Sequence, residues 1–261
     1  MNMEKTAKEK VKHVFGRNAD KYVTSDSHAK GTDLPLLAEW LQPAKTAVAL
    51  DVATGGGHVA KALAPHTALV LATDLTEKML DNTAKYLRSS FDNVMFVIAD
   101  AESLPFLQDT FDIVTCRIAP HHFPNPDRFI AETARVLKPG GKFLMIDNVA
   151  PNDPALGAFM NQTEKLRDDS HVRCLSKDEW TELFTANGLM ITKALDRKKT
   201  FDYPVWVART AENDDQIGRV TEHLLGADPV AMDYFAITGQ GDAIQKLVID
   251  EWMVMCEKQL K

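Results

Sequence analysis

Three cysteines in 261 residues, Cys116, Cys174 and Cys256, are too few and too irregularly spaced for a disulfide framework or a thiolate metal site. No CxxC pair occurs, and an odd number cannot pair completely within one chain, so reduced buried thiols are expected. Positive charge is also in deficit. A formal net charge of -7 and a pI of about 5.6 leave no footprint for nucleic acid or an anionic membrane, both of which require clustered Lys and Arg. Apolar runs such as 68–72 and 143–146 fall far below the roughly 20 residues that span a bilayer. Residues 1–14 are charged and lack the apolar centre of a secretory signal, so a cytoplasmic protein without a membrane span is expected. Neither an internal repeat nor a low-complexity tract is present.

The remaining composition, 45% hydrophobic and 26% charged, supports one large core with an appended cap, and small molecules as partners. Between Thr46 and Asn148 short apolar or β-branched runs alternate with amphipathic segments of helical period. That pattern signals a parallel sheet covered on both faces. The runs 47–52, 69–73, 94–98, 113–116 and 142–147 predict strands, and 59–63, 77–89 and 127–137 predict helices. The last helix carries Phe129, Ile130, Ala134 and Leu137 at helical spacing and meets a terminator at Lys138-Pro-Gly-Gly141. Right-handed crossovers then give a doubly wound, Rossmann-like α/β sheet. Residues 1–41 read as helices, and 152–187 as helices around a polar stretch, 167–177. A helix at 177–187 ends before Gly188, a strand follows at 189–194, and a final strand falls within 245–255. The stretch 210–241 reads as helical, with loops at 226–229 and 238–241.

In an open α/β sheet, ligands bind beyond the carboxyl ends of the strands. The first such loop is Asp51-Val-Ala-Thr-Gly-Gly-Gly57. Its glycines permit a tight turn and close approach of a ligand to the backbone. Gly55-Gly-Gly57-His-Val-Ala60 also fits the G-x-G-x-x-[G/A] dinucleotide pattern, so the loop alone does not choose a cofactor. Charge helps to separate the two candidates. NAD brings an anionic pyrophosphate, whereas S-adenosylmethionine (SAM) carries a sulfonium and an ammonium. Asp51 precedes the glycines, where it would repel pyrophosphate but could help hold an ammonium. Asp74 ends the second predicted strand, suited to both ribose hydroxyls. Asp100 follows the third, suited to the adenine amino group, with the Ala101 N–H meeting a ring nitrogen. A single strand-end aspartate is most simply a helix cap; three in register favour a cationic nucleoside.

These residues resemble the UbiE/type 11 group of SAM-dependent methyltransferases over roughly 22–149. The matching pieces are the 51–57 loop, Thr73-Asp-Leu75, Asp100-Ala101, Phe111-Asp112 and Arg135-Val-Leu-Lys-Pro-Gly-Gly141. The resemblance implies a seven-stranded sheet, six strands parallel and the last antiparallel. It divides the chain into an N-terminal helical cover at 1–45, a SAM-binding core at 46–150, and a helical cap with completing strands at 151–261. It places Thr54, Gly55 and Gly57 with Asp51 and Ala53 in the cofactor loop, and adds Leu75, Met79, Glu102 and Arg117 to Asp74, Asp100 and Ala101. Within Phe15-Gly-Arg-Asn-Ala-Asp-Lys-Tyr22, Tyr22 is implied to pack near the methionine part of SAM. The sequence departs from the commonest family loop, D-x-G-x-G-x-G, at Ala53, where a backbone φ below zero is expected. Residues 152–261 carry no motif assignable to a particular methyl acceptor.

Methyl transfer is an in-line displacement at an activated carbon, so the protein chiefly aligns the two partners and excludes water. If the acceptor must lose a proton, His121 and His122 in Arg117-Ile-Ala-Pro-His-His-Phe123 are the candidate bases, with packing as their alternative role. Arg117 could bind an acidic group or pair with a nearby acid. No metal site is expected. His28, His171 and Arg173 could touch the acceptor, and Met79 and Phe159-Met160 could line the pocket or belong to a core. Two other functional classes stay open: an NAD(P)-dependent oxidoreductase, and a SAM-binding protein without catalysis. Oligomerisation is also open.

Overall fold

The structure, a computed structural model, describes residues 3–23, 32–241 and 243–260, with side chains from Thr6 to Arg17 and from Thr32 onward. The expectations for His28 and for the Tyr22 side chain lie outside the described residues. Five strands, β1 (Val48–Val52), β2 (Leu69–Asp74), β3 (Val94–Ile98), β4 (Phe111–Arg117) and β5 (Leu137–Asn148), run parallel. The helices α3 (His58–Leu63), α4 (Glu77–Leu87) and α5 (Pro126–Val136) are among their connections. Ahead of them lie α1 (Met3–Val23) and α2 (Asp33–Leu41). No described helix is long and apolar enough to cross a membrane.

The sheet is buried on both faces because its strands carry apolar residues at successive positions, and the period of two divides them between layers. In β5, Phe143 and Met145 enter a core with Phe111, Phe129 and Phe184, while Leu144 and Ile146 enter another with Leu37, Leu63 and Val70. A fully buried side chain of this size contributes roughly 1.5–3 kcal/mol. The helix α5 fits its layer because Phe129, Ile130, Thr133 and Ala134 lie on one buried stripe, with Asp127 in its first turn and Arg135 in its last. Its end differs from expectation. The helix stops at Val136, and Lys138-Pro-Gly-Gly141 lies inside β5, where the pairing with β4 shifts register and Gly140 adopts a φ of 75°.

After β5 come α6 (Pro154–Arg167), α7 (Lys177–Ala186), β6 (Leu189–Asp202), α8 (Tyr203–Val207), α9 (Asp214–Leu225), α10 (Pro229–Tyr234), β7 (Thr238–Gln240) and β8 (Ala243–Lys258). The strand order is β3-β2-β1-β4-β5-β8-β6. β8 is antiparallel to both of its neighbours, so β6 runs with the first five. The main sheet thus has the expected six parallel strands and one antiparallel. The expected loop at 238–241 instead holds β7, a short eighth strand paired with β8.

β6 and β8 are also much longer than their apolar patterns predict, at 14 and 16 residues. Their extension is an antiparallel ribbon whose exposed β6 residues are charged rather than alternating. Arg197 and Lys199 pair with Glu251 at 3.2 and 3.1 Å, and Lys198 pairs with Asp250 at 2.8 Å. Cross-strand charge pairs of this kind help to hold the two strands together. The cap packs on the ribbon through a third core that includes Met160, Trp206, Val220, Leu224, Phe235, Leu247 and Ile249.

Two glycines distinguish backbone need from tolerance. A Cβ at Gly57, where φ is 77°, would stand 2.5 Å from Thr83 Cγ2 and 3.0 Å from Leu87 Cδ1, whereas one at Gly218 within α9 would meet nothing within 4 Å. Gly57→Ala should therefore lower stability by about 1–3 kcal/mol. Gly218→Ala should raise it by about 0.5–1 kcal/mol through helix propensity. Thermal melts of the two variants check the pair, and equal shifts would contradict this account of the loop.

Candidate active site

Strand order reverses between β1 and β4, whose connecting helices leave toward opposite faces, and a crevice opens beyond their carboxyl ends. The glycine loop forms one wall. Thr54 N–H donates to the Thr73 carbonyl at 2.7 Å, Gly57 N–H to the Thr54 carbonyl at 2.9 Å, and Gly55 N–H to Asp74 Oδ2 at 3.1 Å. These bonds fold the loop back on β2 and commit three of its N–H groups. They also correct the expectation for Ala53, whose φ is 52°. The turn out of β1 needs a left-handed residue there, at a cost of about 1–2 kcal/mol for alanine, and the bonds at Thr54, Gly55 and Gly57 over-determine it.

Asp51 is buried beneath this loop and accepts hydrogen bonds from Thr54 Oγ1 at 2.6 Å and Thr115 Oγ1 at 2.9 Å. Burial pushes its carboxyl up to about 6, against the pull of these two hydroxyls. Asp74 receives Gly55 N–H on one oxygen and Thr76 N–H, at 2.8 Å, on the other; burial raises it as well. Asp100 accepts the Glu102 N–H at 3.0 Å. An α1 residue that sequence reasoning missed, Lys8, bridges Asp100 at 2.8 Å and Glu102 at 2.6 Å. Glu102 is further tied to Asn125, from its backbone at 2.7 Å and its side chain at 3.0 Å.

A cavity with about 1010 Å³ of empty space, its open mouth included, occupies the crevice. Of the residues named from the sequence, it brings together Asp51, Ala53, Thr54, Gly55, Asp74, Leu75, Met79, Asp100, Ala101, Glu102, Arg117 and His122. Gly57 is not in its wall; it packs against α4 instead. Val11 and Phe15, one and two turns beyond Lys8 on α1, join the wall with Ile118, Ala119, Phe123 and Pro124. The helical spacing of Lys8, Val11 and Phe15 is the signal that could have revealed them.

Arg117 is forked onto the buried Asp33, through Nε to Oδ2 and Nη2 to Oδ1, the latter at 3.1 Å. Burial pushes the Asp33 carboxyl up, but the guanidinium outweighs it and holds the group below the usual carboxylate range. The two histidines differ. His121 is buried outside the cavity, its Nδ1 2.7 Å from Asp147 Oδ1 and its N–H on Asp147 Oδ2 at 2.9 Å. Burial lowers its affinity for a proton, yet Asp147 raises it above the ordinary histidine value. His122 faces the cavity, and burial with the neighbouring His121 pushes it down to about 4. His171 is buried against Asn161 Oδ1 at 3.0 Å, and Arg173 pairs with Glu179 on the surface. Phe159 and Met160 belong to the cap core. Among the described residues no group of acids, histidines or cysteines could hold a metal ion.

Residues 50–145 match the family described as a methyltransferase domain. The chain is 37% identical over 225 residues to an uncharacterized methyltransferase, YcgJ, of Bacillus subtilis (strain 168), covering 86% of this chain and 89% of that one. The crystal structure of YcgJ superposes with a TM-score of 0.85 at 34% identity, over 87% of this chain and 98% of the other. A ubiquinone/menaquinone biosynthesis C-methyltransferase, UbiE, of Rickettsia typhi (strain ATCC VR-144 / Wilmington) is 34% identical over 149 residues, 52% of this chain and 60% of the relative.

Asp51 yields a pH prediction. Its folded carboxyl binds a proton more tightly than the unfolded one, so its contribution makes stability fall as pH rises from about 4 to about 6. Asp51→Asn should therefore melt higher than the parent near neutral pH, by about 1–3 kcal/mol, with the gap closing near pH 4. Calorimetric melts across that window check it. A pH-independent gap would contradict the assignment.

Proposed function

Because the chain belongs to the class I methyltransferase family, we propose that it transfers a methyl group from SAM to a small-molecule acceptor in the crevice above β1 and β4. The observation that carries this reading is the meeting of Asp51, Asp74 and Asp100, one from each of three strand ends, in one cavity. A wall of carboxylates suits a cationic nucleoside. A pyrophosphate would face Asp51 and find the N–H groups of Thr54, Gly55 and Gly57 already bonded, which disfavours the nicotinamide alternative.

The residues present fit SAM. Each oxygen of Asp74 accepts one backbone N–H and retains a lone pair for a ribose hydroxyl. Asp100 and Ala101 would hold the adenine edge, Gly55 would allow close approach, and Met79 would supply apolar surface. Asp51 would face the ammonium, whose charge favours the ionised form of a carboxyl that burial otherwise makes reluctant to ionise. When bound, SAM supplies an activated methyl group. The chain's own task is then to align the acceptor and keep water out, with α1 lying across the mouth. Free, buried Cys116, Cys174 and Cys256 support a cytoplasmic location, and the acidic balance supports a small acceptor rather than nucleic acid.

Calorimetric titration with SAM, S-adenosylhomocysteine and NAD tests the cofactor. Binding of NAD without SAM would overturn the reading. Asp74→Asn, which preserves one acceptor oxygen for the loop, should weaken SAM binding about 10- to 100-fold. Undiminished affinity would remove Asp74 from the site. Release of S-adenosylhomocysteine in an acceptor screen tests turnover.

A further inference from the structure

The side of the cavity around His122 carries chemistry of its own. Val11, Phe15, Ile118, Phe123 and Pro124 give it an apolar wall. Among the described residues, the two cations in the lining are both committed to carboxylates, Arg117 to Asp33 and Lys8 to Asp100 and Glu102. An anionic acceptor would find neither of them free to compensate its desolvation there.

The imidazole of His122 is held in one orientation. Its Nδ1 lies 3.1 Å from the Ser170 carbonyl oxygen, which only accepts, and 3.3 Å from Ser170 Oγ, whose hydrogen is given to Asp168, so Nδ1 carries the proton and Nε2 the lone pair. Ser170 is itself fixed by Asp168 Oδ1, which accepts its N–H at 2.8 Å and its Oγ–H at 2.5 Å. The neighbouring backbone is tied in as well, because the His121 carbonyl accepts the N–H groups of Val172 and Arg173, both at 3.0 Å. The Phe15 ring meets the His122 ring edge-on, centroids 5.0 Å apart, and the His121 ring lies at 4.2 Å. The charged and titratable groups around His122 include His121, Asp168, Asp147 and His171.

We propose that His122 Nε2 receives the proton of the methyl acceptor, and that the acceptor is an uncharged molecule of phenol type, an apolar ring bearing an acidic O–H. Asp168 and Ser170 are positioning residues that fix the histidine tautomer. This proposal rests on the SAM reading. In the transfer, a lone pair of the acceptor oxygen forms the bond to the methyl carbon. The carbon–sulfur bond breaks with its electron pair left on sulfur, and the O–H proton passes to His122 Nε2 and then to water. His122 is pushed down to about 4 and so is neutral, with its lone pair available, throughout the neutral range. A weak base serves this step because the hydroxyl proton becomes strongly acidic as the new carbon–oxygen bond forms.

Protein labelled with [15N]histidine and saturated with S-adenosylhomocysteine allows the tautomer to be read directly by NMR. An unprotonated Nε2 across neutral pH is expected, and a protonated Nε2 would overturn the proposal. In the same complex 4-methylphenol, which is uncharged at neutral pH, should bind and shift the His122 Nε2 resonance, while 4-methylbenzoate should bind at least about tenfold more weakly. Absence of phenol binding, or a preference for the benzoate, would overturn the acceptor class. His122→Asn retains an N–H for Ser170 and lacks Nε2. It should reduce 4-methylphenol affinity about tenfold, with S-adenosylhomocysteine affinity as the folding control. If that control fails, the tautomer measurement on the unaltered protein decides. Failure of S-adenosylhomocysteine to bind the unaltered protein would defeat the cofactor reading, whereas its binding with a protonated Nε2 defeats only the present one.

Discussion

The buried carboxylate of Asp51 is the point at which three parts of the molecule are joined. It lies one residue from the end of β1, receives Thr54 from the glycine loop and receives Thr115 from β4. Those are the two strands between which the order of the sheet reverses. The crevice exists because successive crossovers diverge there, and Asp51 lies at its floor. A carboxylate in that position strains the free protein, since burial raises its affinity for a proton. The same strain makes the crevice receptive to a cation. Ligand affinity and the pH dependence of the fold are thus two consequences of one buried group.

Around that floor the walls are built by segments distant in sequence. The helix α1 packs on α4 and sends Lys8, Val11 and Phe15 into the cavity. Lys8 holds Asp100 and Glu102 together, so the cover is fastened to the acidic group assigned to adenine. On the other side, the loop after α6 buttresses His122 through Ser170 and Asp168. The cap therefore acts on the cavity through its backbone and buried polar groups. Phe159, Tyr203, Trp206 and Phe235 are spent on the cap's own core.

The parallel core was legible because both faces of its central strands are buried, which leaves uninterrupted apolar runs whose limits, the start of β5 apart, agree with the structure to within a few residues. The ribbon of β6 and β8 was less legible, since Arg197, Lys198 and Lys199 are stabilised by partners some fifty positions away, at Glu251 and Asp250. Local pattern carries no record of such pairs. Most anticipated cofactor residues line one cavity, because strand ends converge whenever the sheet is doubly wound. Gly57 differs, having been read for ligand approach when its missing Cβ serves packing against Thr83 and Leu87. Ala53 shows that a left-handed turn can be imposed on a residue other than glycine when surrounding hydrogen bonds determine the backbone. The separation of His121 from His122 was also invisible in the sequence, where the two are adjacent; only the fold turns one toward Asp147 and the other toward the cavity.

In the proposed reading the crevice has an acidic cofactor half and an apolar acceptor half, with His122 on the acceptor side. Membership of the methyltransferase family supplies the reaction class, and the three carboxylates in one cavity are the observation behind the proposal that SAM is the donor. A crystal structure with S-adenosylhomocysteine tests this most directly. The account predicts the ribose hydroxyls on Asp74, the adenine beside Asp100 and Ala101, and the amino group toward Asp51. A ligand seated in the crevice without contact to any of the three carboxylates would contradict it.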